Sequence, residues 1–485
     1  MTGTNTGTNR SAQLLVSLMV GVLSVMFAAP AQATVGPGER QEGLWYATNL
    51  RFDEIAAQGL SGSGVTIAVI DDAINPDVAE LRGADIEVRG QFCREAATGA
   101  ELPAVTDDPA TSHGTDVVSM LVGNGVAADG GAGTRGIVPG AKVLFYAADG
   151  VPGADGTWGC EAYNPVTGEF ESDVEIAGDD PSVDMNLTVP EALAARQAIA
   201  DGADIISISS VSSAWNSISW SPVATRALRE GIPIVAGTRN PDSTIEQSFE
   251  VVPAALNGTV AVGGVKPDGN VITWYDEERQ QDVTPPGSDN RGFVAPGYQV
   301  LVPADQGSWG AGLSSGTSLA TPLVAGSIAL GLEKFPSATA NQILQALVRT
   351  TGEGSVHDAA WIDDDYGYGI VSPLGMLGTD PTEYPDENPL FVKSSDDPRC
   401  GAGATAAPTD TLEACAWAGA PTIADLRGDF AQGDVKPPVT LASLVEQWAI
   451  PILWGGLGFL VVVATVIVMI IAAARRRAKR QLDVL

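Results

Sequence analysis

The sequence predicts an α/β fold in which a mostly parallel central sheet lies between two layers of helices. Short apolar, β-branched runs are typical of strands buried on both faces, and they occur at residues 65–70, 142–146, 204–209, 232–236 and 260–265. Helical patterns alternate with these runs, at residues 115–122, 190–201 and 222–230. This alternation favours three layers. Aromatic residues make up only 6% of the chain, so the core is expected to consist mainly of Ala, Val, Ile and Leu.

The charge of the chain excludes several classes of partner. The 485 residues include 59 acidic and 26 basic side chains, which gives a formal net charge of −33. A protein that binds nucleic acid neutralises phosphates with clustered Lys and Arg. We therefore expect no nucleic-acid partner. Because 45% of the residues are hydrophobic, disorder throughout the chain is excluded as well.

The N-terminal residues 1–33 are predicted to be a signal peptide. An apolar run at residues 14–29 follows Arg10, and it ends in the small-residue pattern AQA at residues 31–33. An uncleaved membrane anchor is the alternative. After cleavage, residues 34–43 would form a short N-terminal extension.

The C-terminal region predicts a single membrane-spanning helix at residues 450–474. This stretch contains no charged residue, and at about 1.5 Å per residue it can cross a bilayer core of about 30 Å. The basic cluster RRRAKR follows directly, so residues 475–485 are expected to form a cytoplasmic tail. Residues 379–449 would form the linker between the peptide chain's main body and this helix. The protein would then be anchored in the cell membrane, with its main body outside the cytoplasm. A buried helix of a soluble core is the alternative.

Four cysteines, Cys93, Cys160, Cys400 and Cys415, suit an exported protein, in which disulfides persist. Three pairings are open, and we prefer Cys93 with Cys160 and Cys400 with Cys415, because each pair then lies within one neighbourhood of the sequence. No C-x-x-C pattern occurs, so no metal site is expected from the cysteines. Residues 151–187 are rich in Gly, Pro, Asp and Glu, which predicts an exposed acidic insertion.

The residues that could carry chemistry follow predicted strands or precede predicted helices. The chain has two histidines, His113 and His357, so a mechanism with an imidazole base must use one of them. His113 lies directly before a helix, and Asp71 ends the first central strand. Ser318 precedes a long apolar helix, where exposed N–H groups favour developing negative charge. Each residue by itself has an ordinary structural reading, such as a helix cap for Ser318.

Together these segments resemble the active-site motifs of the subtilisin-like serine peptidases. The runs VID at residues 69–71, HGT at 113–115 and GTSLATP at 316–322 follow that family's order of Asp, His and Ser. Further matching runs occur at residues 137–143, 202–206, 294–297 and 366–369. The resemblance covers residues 44–378 and implies a peptidase domain of that fold. It also implies that Ser318 attacks the scissile carbonyl, His113 relays the proton and Asp71 orients the imidazole, with Asp72 as the fallback.

The resemblance further implies that Asn240 supplies an amide donor to the oxyanion hole. Two departures from the family pattern concern the substrate cleft. Arg239 stands where glycine is usual, and Ser209-Ser210-Val211 replaces a strand end that usually has a small residue. We expect Arg239, Ser209 and Val211 to contact substrate. Arg239 would then favour an acidic or small side chain before the cleaved bond.

A second serine motif allows a different interpretation, in which the nucleophile is not Ser318. The run GLSSG at residues 312–316 also fits G-x-S-x-G, the nucleophile motif of α/β-hydrolases. That mechanism needs an acid and then a histidine downstream. His357 could serve as the histidine, but the acids before it, Glu333 and Glu353, are poorly placed in the sequence.

The overall architecture resembles the mycosins, membrane-anchored subtilisin-like peptidases associated with type VII secretion. Residues 34–43 are too few for an independently folded pro-domain. The resemblance implies a partner, the type VII secretion complex of the same membrane, and a protein or peptide substrate. The alternative is a structural or capping component of such a complex with weak or no proteolysis.

No cofactor and no metal site are predicted from the sequence. Calcium is left open, because the related peptidases often bind it and the insertion contains Asp173, Asp179, Asp180 and Asp184. However, no loop has the spacing of an EF-hand.

Overall fold

The computed structural model describes residues 35–95, 98–148, 160–170, 189–213, 217–240, 251–276, 281–283, 291–305, 308–363 and 365–392, together with Pro421 and Leu426. All of them belong to one unit, Met1–Leu426, and the second unit, Arg427–Leu485, contains no described residue.

The described helices fall into three groups along the chain. Three short helices come first, α1 (Pro37–Gly43), α2 (Trp45–Asn49) and α3 (Phe52–Ala56). The longer helices follow, α4 (His113–Val122), α5 (Pro190–Ala200), α6 (Ser217–Glu230) and α7 (Thr317–Lys334). The last are α8 (Ala340–Val348) and α9 (Pro373–Leu377). Single 3₁₀ turns occur at Ala79–Leu81, Pro109–Thr111 and Pro381–Glu383.

The described strands, in chain order, are β1 (Thr66–Asp71), β2 (Asp85–Gln91), β3 (Cys93–Glu95), β4 (Asn124–Val126), β5 (Ala132–Arg135), β6 (Lys142–Ala147), β7 (Cys160–Asn164), β8 (Glu169–Phe170), β9 (Ile205–Ile208), β10 (Ser212–Ser213), β11 (Ile234–Gly237), β12 (Val251–Val252), β13 (Val260–Val265), β14 (Trp274–Asp276), β15 (Gln281–Val283), β16 (Phe293–Pro296), β17 (Val300–Asp305) and β18 (Ser308–Ser314). Seven of them form the central sheet, in the order β16-β13-β11-β9-β1-β6-β2. Every neighbouring pair in this sheet is parallel.

Helices cover both faces of the sheet. In the central strand β1, Ile67 and Val69 lie in the core cluster that includes α4, α7 and α8. Ala68 and Ile70 lie in the cluster formed with α5 and α6. All four side chains are fully buried. A strand covered on both faces needs an apolar residue at every position, which explains the continuous apolar run in the sequence. The predicted three-layer α/β fold is confirmed.

The sequence places the central strands better than the edges. Each of the five predicted strands belongs to the central sheet. The edge strands β2 and β16 were not predicted as strands. Helix α6 begins at Ser217, five residues before the predicted start at Pro222, and Pro222 lies inside it. The fully buried Trp220 fixes this earlier turn against the core.

Part of the predicted acidic insertion forms strands. Residues 160–170 contain β7 and β8, and β7 pairs antiparallel with β3. The predicted disulfide between Cys93 and Cys160 is present at this pairing, with a Cα–Cα distance of 5.4 Å. The second predicted pair, Cys400 and Cys415, lies outside the described residues.

The N-terminal extension is attached to the body through Arg40. This side chain is only 6% exposed, and its guanidinium donates two hydrogen bonds of 2.8 Å to the carboxylate of Asp129. Its Nε donates to the carbonyl oxygen of Val35 at 2.9 Å. Beyond the predicted domain end at Gly378, Leu390 and Phe391 are buried, so the folded body continues to about Val392.

The predicted signal peptide, membrane helix and cytoplasmic tail lie outside the described residues. Within the ranges described, no helix has the length and hydropathy needed to cross a bilayer.

Candidate active site

The site lies where the strand order of the central sheet changes direction. From β1, the chain builds β2 and β6 on one side and then β9, β11, β13 and β16 on the other. In open α/β sheets ligands bind beyond the carboxyl ends of the strands at such a point. Asp71 is the last residue of β1, Ser209 follows β9, and Asn240 lies shortly after β11.

Asp71 holds the imidazole of His113. Its Oδ1 lies 2.7 Å from Nδ1 of the ring, and the Asp71 side chain is 2% exposed, whereas that of His113 is 44% exposed. The backbone N–H of Asp72 also donates to Asp71 Oδ1, at 2.9 Å. A carboxylate at Nδ1 favours the tautomer with hydrogen on Nδ1. The other ring nitrogen, Nε2, can then accept a proton.

Asp72 has a different partner. Its Oδ2 accepts a hydrogen bond from the backbone N–H of His113 at 3.1 Å, and its Oδ1 accepts one from that of Gly114 at 2.8 Å. These are N–H groups of the first turn of α4, which have no partner within the helix. Asp72 therefore anchors the start of the helix, and Asp71 is the aspartate that contacts the imidazole.

Glycine is required directly after His113. A Cβ atom on Gly114 would lie 2.6 Å from the ring of Phe145 and 2.7 Å from the carbonyl oxygen of Ala73. Such distances leave no room for a side chain. The glycine allows α4 to begin in contact with the end of β1, which brings His113 to Asp71.

Ser318 lies in the first turn of α7 and is linked to the end of β9. Its Oγ donates a hydrogen bond to the carbonyl oxygen of Ser209 at 3.2 Å. In return, Ser209 Oγ donates to the carbonyl oxygen of Ser318 at 2.9 Å. Ile70 pairs with Ile208, so the same register places Asp71 beside Ser209 on strands about 4.8 Å apart. Ser318 therefore lies at the carboxyl ends of the same strands, β1 and β9, as the pair of Asp71 and His113.

Asn240 is fixed beside the segment that leads to Ser318. Its Oδ1 accepts hydrogen bonds from the backbone N–H of Thr317 at 2.8 Å and from its Oγ1 at 3.2 Å. A Cβ atom on Gly316 would lie 3.2 Å from Nδ2 of Asn240. None of the hydrogen bonds described for Asn240 uses Nδ2. This N–H₂ group is suited to donate to an oxyanion formed next to Ser318.

Replacing Asn240 with alanine is expected to lower kcat by about 10²- to 10³-fold with little change in KM, because an oxyanion donor acts mainly in the transition state. Steady-state hydrolysis of a peptide substrate measures both constants. Asn240→Asp is the matched variant, since it keeps an acceptor for the Thr317 N–H but loses the donor. If Asn240 only held Thr317 in place, the aspartate variant would remain active.

The predicted specificity residues differ in their surroundings. Arg239 is 2% exposed, and burial lowers the pKa of its guanidinium. The hydroxyl of Ser209 is hydrogen-bonded to the backbone of Ser318. Val211 is partly buried against the core cluster that includes α5 and α6. The Ser209 hydroxyl therefore helps to position Ser318, and contact of Arg239, Ser209 and Val211 with substrate stays a prediction.

Carboxylates surround His113. Partial burial lowers the pKa of its imidazole, but the charge and hydrogen bond of Asp71 outweigh this effect, together with the charges of Asp72 and Asp116. The pKa of His113 therefore lies above its ordinary value. Asp116 was missed in the sequence analysis. The sequence offers only its position, three residues after His113 and inside the helix predicted at residues 115–122.

His357 belongs to a different part of the structure. Its Nε2 lies 3.1 Å from Thr351 Oγ1, and its Nδ1 lies 2.7 Å from the carbonyl oxygen of Asp358. Ser314, the serine of the alternative motif, ends strand β18 and pairs with Val300. Both ring nitrogens of His357 are thus engaged away from Ser314, and the α/β-hydrolase arrangement is not formed.

A metal site is not supported by the contacts of the acidic residues. Within the ranges described, ligand atoms of Asp71, Asp72 and His113 lie within 4.8 Å of one another. Asp71 Oδ1 is hydrogen-bonded to His113 Nδ1, and the carboxylate of Asp72 accepts the backbone N–H groups of His113 and Gly114. The arrangement is a hydrogen-bonded pair of Asp71 and His113 beside a carboxylate that caps a helix. The acidic residues considered for calcium, Asp173, Asp179, Asp180 and Asp184, lie outside the described residues.

Comparison with known proteins agrees with this geometry. The model of the subtilase family, Peptidase_S8, matches residues 62–369. Subtilisin E of Bacillus subtilis (strain 168) is 26% identical over 326 residues, which cover 66% of this chain and 67% of that protein.

Two solved structures are similar to this chain, and the first of them shares its fold. A structure of the periplasmic assembly from the ESX-5 inner membrane complex has a TM-score of 0.52 and 22% identity, and the match covers 75% of this chain and 89% of that chain. The crystal structure of MycP1 from Mycobacterium smegmatis has a TM-score of 0.49 and 20% identity, with 72% of this chain and 87% of that chain covered. The family match spans more than half of the sequence and includes the site described above. The chain therefore belongs to the subtilase family and is a serine endopeptidase.

Proposed function

We propose that the protein is a membrane-anchored, extracytoplasmic endopeptidase that cleaves exported proteins with Ser318 as nucleophile, His113 as general base and Asp71 as the residue that orients the imidazole. The observation that carries this proposal is the 2.7 Å contact between Asp71 Oδ1 and His113 Nδ1, at the sheet edge where Ser318 lies. A carboxylate, an imidazole and a serine at one edge are the parts of the Ser-His-Asp mechanism.

In the first step, the hydroxyl of Ser318 leaves its hydrogen bond to Ser209 and attacks the substrate. The hydroxyl turns from the carbonyl of Ser209 toward Nε2 of His113. As Oγ bonds to the scissile carbonyl carbon, the hydroxyl proton moves to Nε2 and the carbonyl oxygen becomes an oxyanion. Asp71 stabilises the imidazolium that forms, and Asn240 Nδ2 with the backbone N–H of Ser318 binds the oxyanion.

The second step releases the first product. The C–N bond breaks, and the leaving amine takes the proton from Nε2, which leaves an acyl group on Ser318. A water molecule then attacks the acyl carbon and gives one proton to Nε2. The bond between this carbon and Ser318 Oγ breaks, Oγ takes the proton from Nε2, and the carboxylic acid is released.

A fluorophosphonate probe tests the nucleophile without knowledge of the substrate. The purified full chain is expected to be labelled at Ser318, as shown by mass spectrometry of the modified peptide, and Ser318→Ala is expected to give no labelled peptide. Ser314→Ala is the matched control and should be labelled like the wild type. If the wild type is not labelled, the proposal fails and the capping or scaffold role is favoured. The hydrogen bond of the Ser318 hydroxyl to Ser209 is the observation that keeps this second candidate open.

The proposed location rests on two predicted segments, one near each end of the sequence. The predicted signal peptide at residues 1–33, the apolar run at 450–474 and the basic residues after it support an anchored protein whose body faces away from the cytoplasm. After a carbonate wash of isolated membranes, the full chain should remain in the pellet, and a chain that ends at residue 449 should be soluble. Solubility of both chains would contradict the anchor.

The proposed partner is a type VII secretion complex of the same membrane. The structure that shares the fold at a TM-score of 0.52 comes from the ESX-5 inner membrane complex, and an identity of 22% relates the folds alone. Support for the partner therefore comes from the combination of the predicted signal peptide, short extension and membrane helix. Secretion in a strain that carries Ser318→Ala, compared with a strain that lacks the protein, separates a need for turnover from a need for the body alone.

A further inference from the structure

Asp116 lies on the same face of α4 as His113. The two residues are three positions apart in the helix, and the Cβ atoms of such a pair are about 5–6 Å apart. The backbone N–H of Ala304 in β17 donates to Asp116 Oδ1 at 3.3 Å. Strands β17 and β18 form the hairpin that leads to Ser318. The carboxylate of Asp116 is therefore held between α4, which contains His113, and the β17–β18 hairpin, which precedes Ser318.

We propose that Asp116 is a positioning residue of the active site, whose carboxylate favours the protonated form of His113 and so sets the pH at which the imidazole becomes a base. This inference rests on the proposed function, in which His113 accepts the proton of Ser318. It concerns the pH range of activity, which the catalytic triad by itself does not define.

The groups that face Asp116 come from three elements. His113 lies on the same helix as Asp116, Asp71 is the last residue of β1, and Asp72 follows it. The charges of these three residues act on the carboxyl of Asp116. Strand β17 contributes the backbone N–H of Ala304 and ends at Asp305, whose side chain lies outside the described residues. The charges that raise the proton affinity of His113 are those of Asp71, Asp72 and Asp116.

The pKa of the Asp116 carboxyl lies near neutral pH. Burial raises the pKa of its carboxyl to about 7, against the opposing effects of the His113 charge and the Ala304 N–H. Once ionised, the carboxylate favours imidazolium over imidazole, because opposite charges attract. The activity of His113 as a base therefore begins at a higher pH than it would without Asp116. The same charge also stabilises the imidazolium of the transition state.

The proposal is tested with Asp116→Asn, which removes the charge but keeps an oxygen for the Ala304 N–H. The rate constant of fluorophosphonate labelling, measured for the full chain from pH 5 to 11, should rise with pH in the wild type, since the carboxylates raise the pKa of His113 to about 10. In the variant, the midpoint of this rise should move to lower pH by about half a unit to one unit. Asp77→Asn is the matched control, because Asp77 is exposed to water. An equal shift in both variants, or none in either, would overturn the proposal.

The two histidines of the chain provide a second measurement. With isotope-labelled histidine, NMR can follow the titration of His113 and His357 in the Ser318→Ala background, so the result does not depend on labelling of Ser318. The His113 midpoint should fall in Asp116→Asn and return in Asp116→Glu, and His357 should not change. An unchanged His113 midpoint refutes the role of Asp116. By contrast, a wild type that is never labelled refutes the proposed function.

Discussion

Replacing Ser318 with alanine is expected to lower kcat by about 10⁶-fold, the scale of loss when the serine nucleophile is removed from a peptidase of this class. The oxyanion donors and the substrate contacts remain in the variant, but no covalent bond to the acyl group can form. The substitution removes one oxygen from a side chain that is 7% exposed, so the fold should be kept. Hydrolysis of a fluorogenic peptide by the purified full chain gives kcat, and thermal unfolding reports the fold.

Ser327→Ala serves as the control for the loss of a buried serine. Ser327 lies in the same helix as Ser318, and its Oγ donates to the carbonyl oxygen of Leu323 at 2.7 Å. This variant should retain its peptidase activity. If Ser318→Ala hydrolysed the peptide at a rate near that of wild type, the assignment of the nucleophile would be wrong.

Replacing Asp71 with asparagine is expected to lower kcat by about 10⁴-fold. The amide that replaces the carboxylate can donate to Nδ1 of His113, which favours the tautomer with hydrogen on Nε2. In that form the ring cannot accept the proton of Ser318. The carboxylate charge that stabilises the imidazolium is lost as well. The measurement is steady-state kinetics with the same peptide, at a pH above the rise of the wild-type profile.

Asp72→Asn distinguishes the two neighbouring aspartates. The carboxylate of Asp72 accepts the backbone N–H groups of His113 and Gly114, whereas the described hydrogen bond to the imidazole ring comes from Asp71. Its substitution should reduce kcat far less than that of Asp71 and act mainly through the attachment of α4. Equal losses in both variants would contradict the separate roles assigned to the two residues.

The sequence predicts the part of the fold in which burial determines the residue type at every position. Strand β1 is covered on both faces, so its pattern is continuous and apolar and could be recognised. Strand β2 lies at the edge of the sheet and reads DIEVRGQ, in which charged and apolar residues alternate and no such run appears. The start of α6 was placed late because Pro222 fits a first helical turn. Burial of Trp220, which only the tertiary structure defines, moves the start to Ser217.

The site was predictable to the level of motifs and strand ends. The positions of Asp71, His113 and Ser318 follow from these signals. The division of roles between Asp71 and Asp72 does not, because the two are adjacent in sequence and differ only in which atoms they contact. Asp116 could not be assigned from the sequence either, since its fixed position depends on Ala304, 188 residues further along the chain.

The attachment of Arg40 bears on the predicted cleavage of the signal peptide. Cleavage after residue 33 would leave both Val35 and Arg40 on the product, so the new N-terminus would stay fastened to the body through Asp129. A cut after Arg40 would remove this attachment and leave the exposed carboxylate of Asp129 without the Arg40 guanidinium. If the predicted signal peptide is removed, a product that begins at residue 34 keeps all three hydrogen bonds of Arg40, whereas a product that begins after Arg40 keeps none of them.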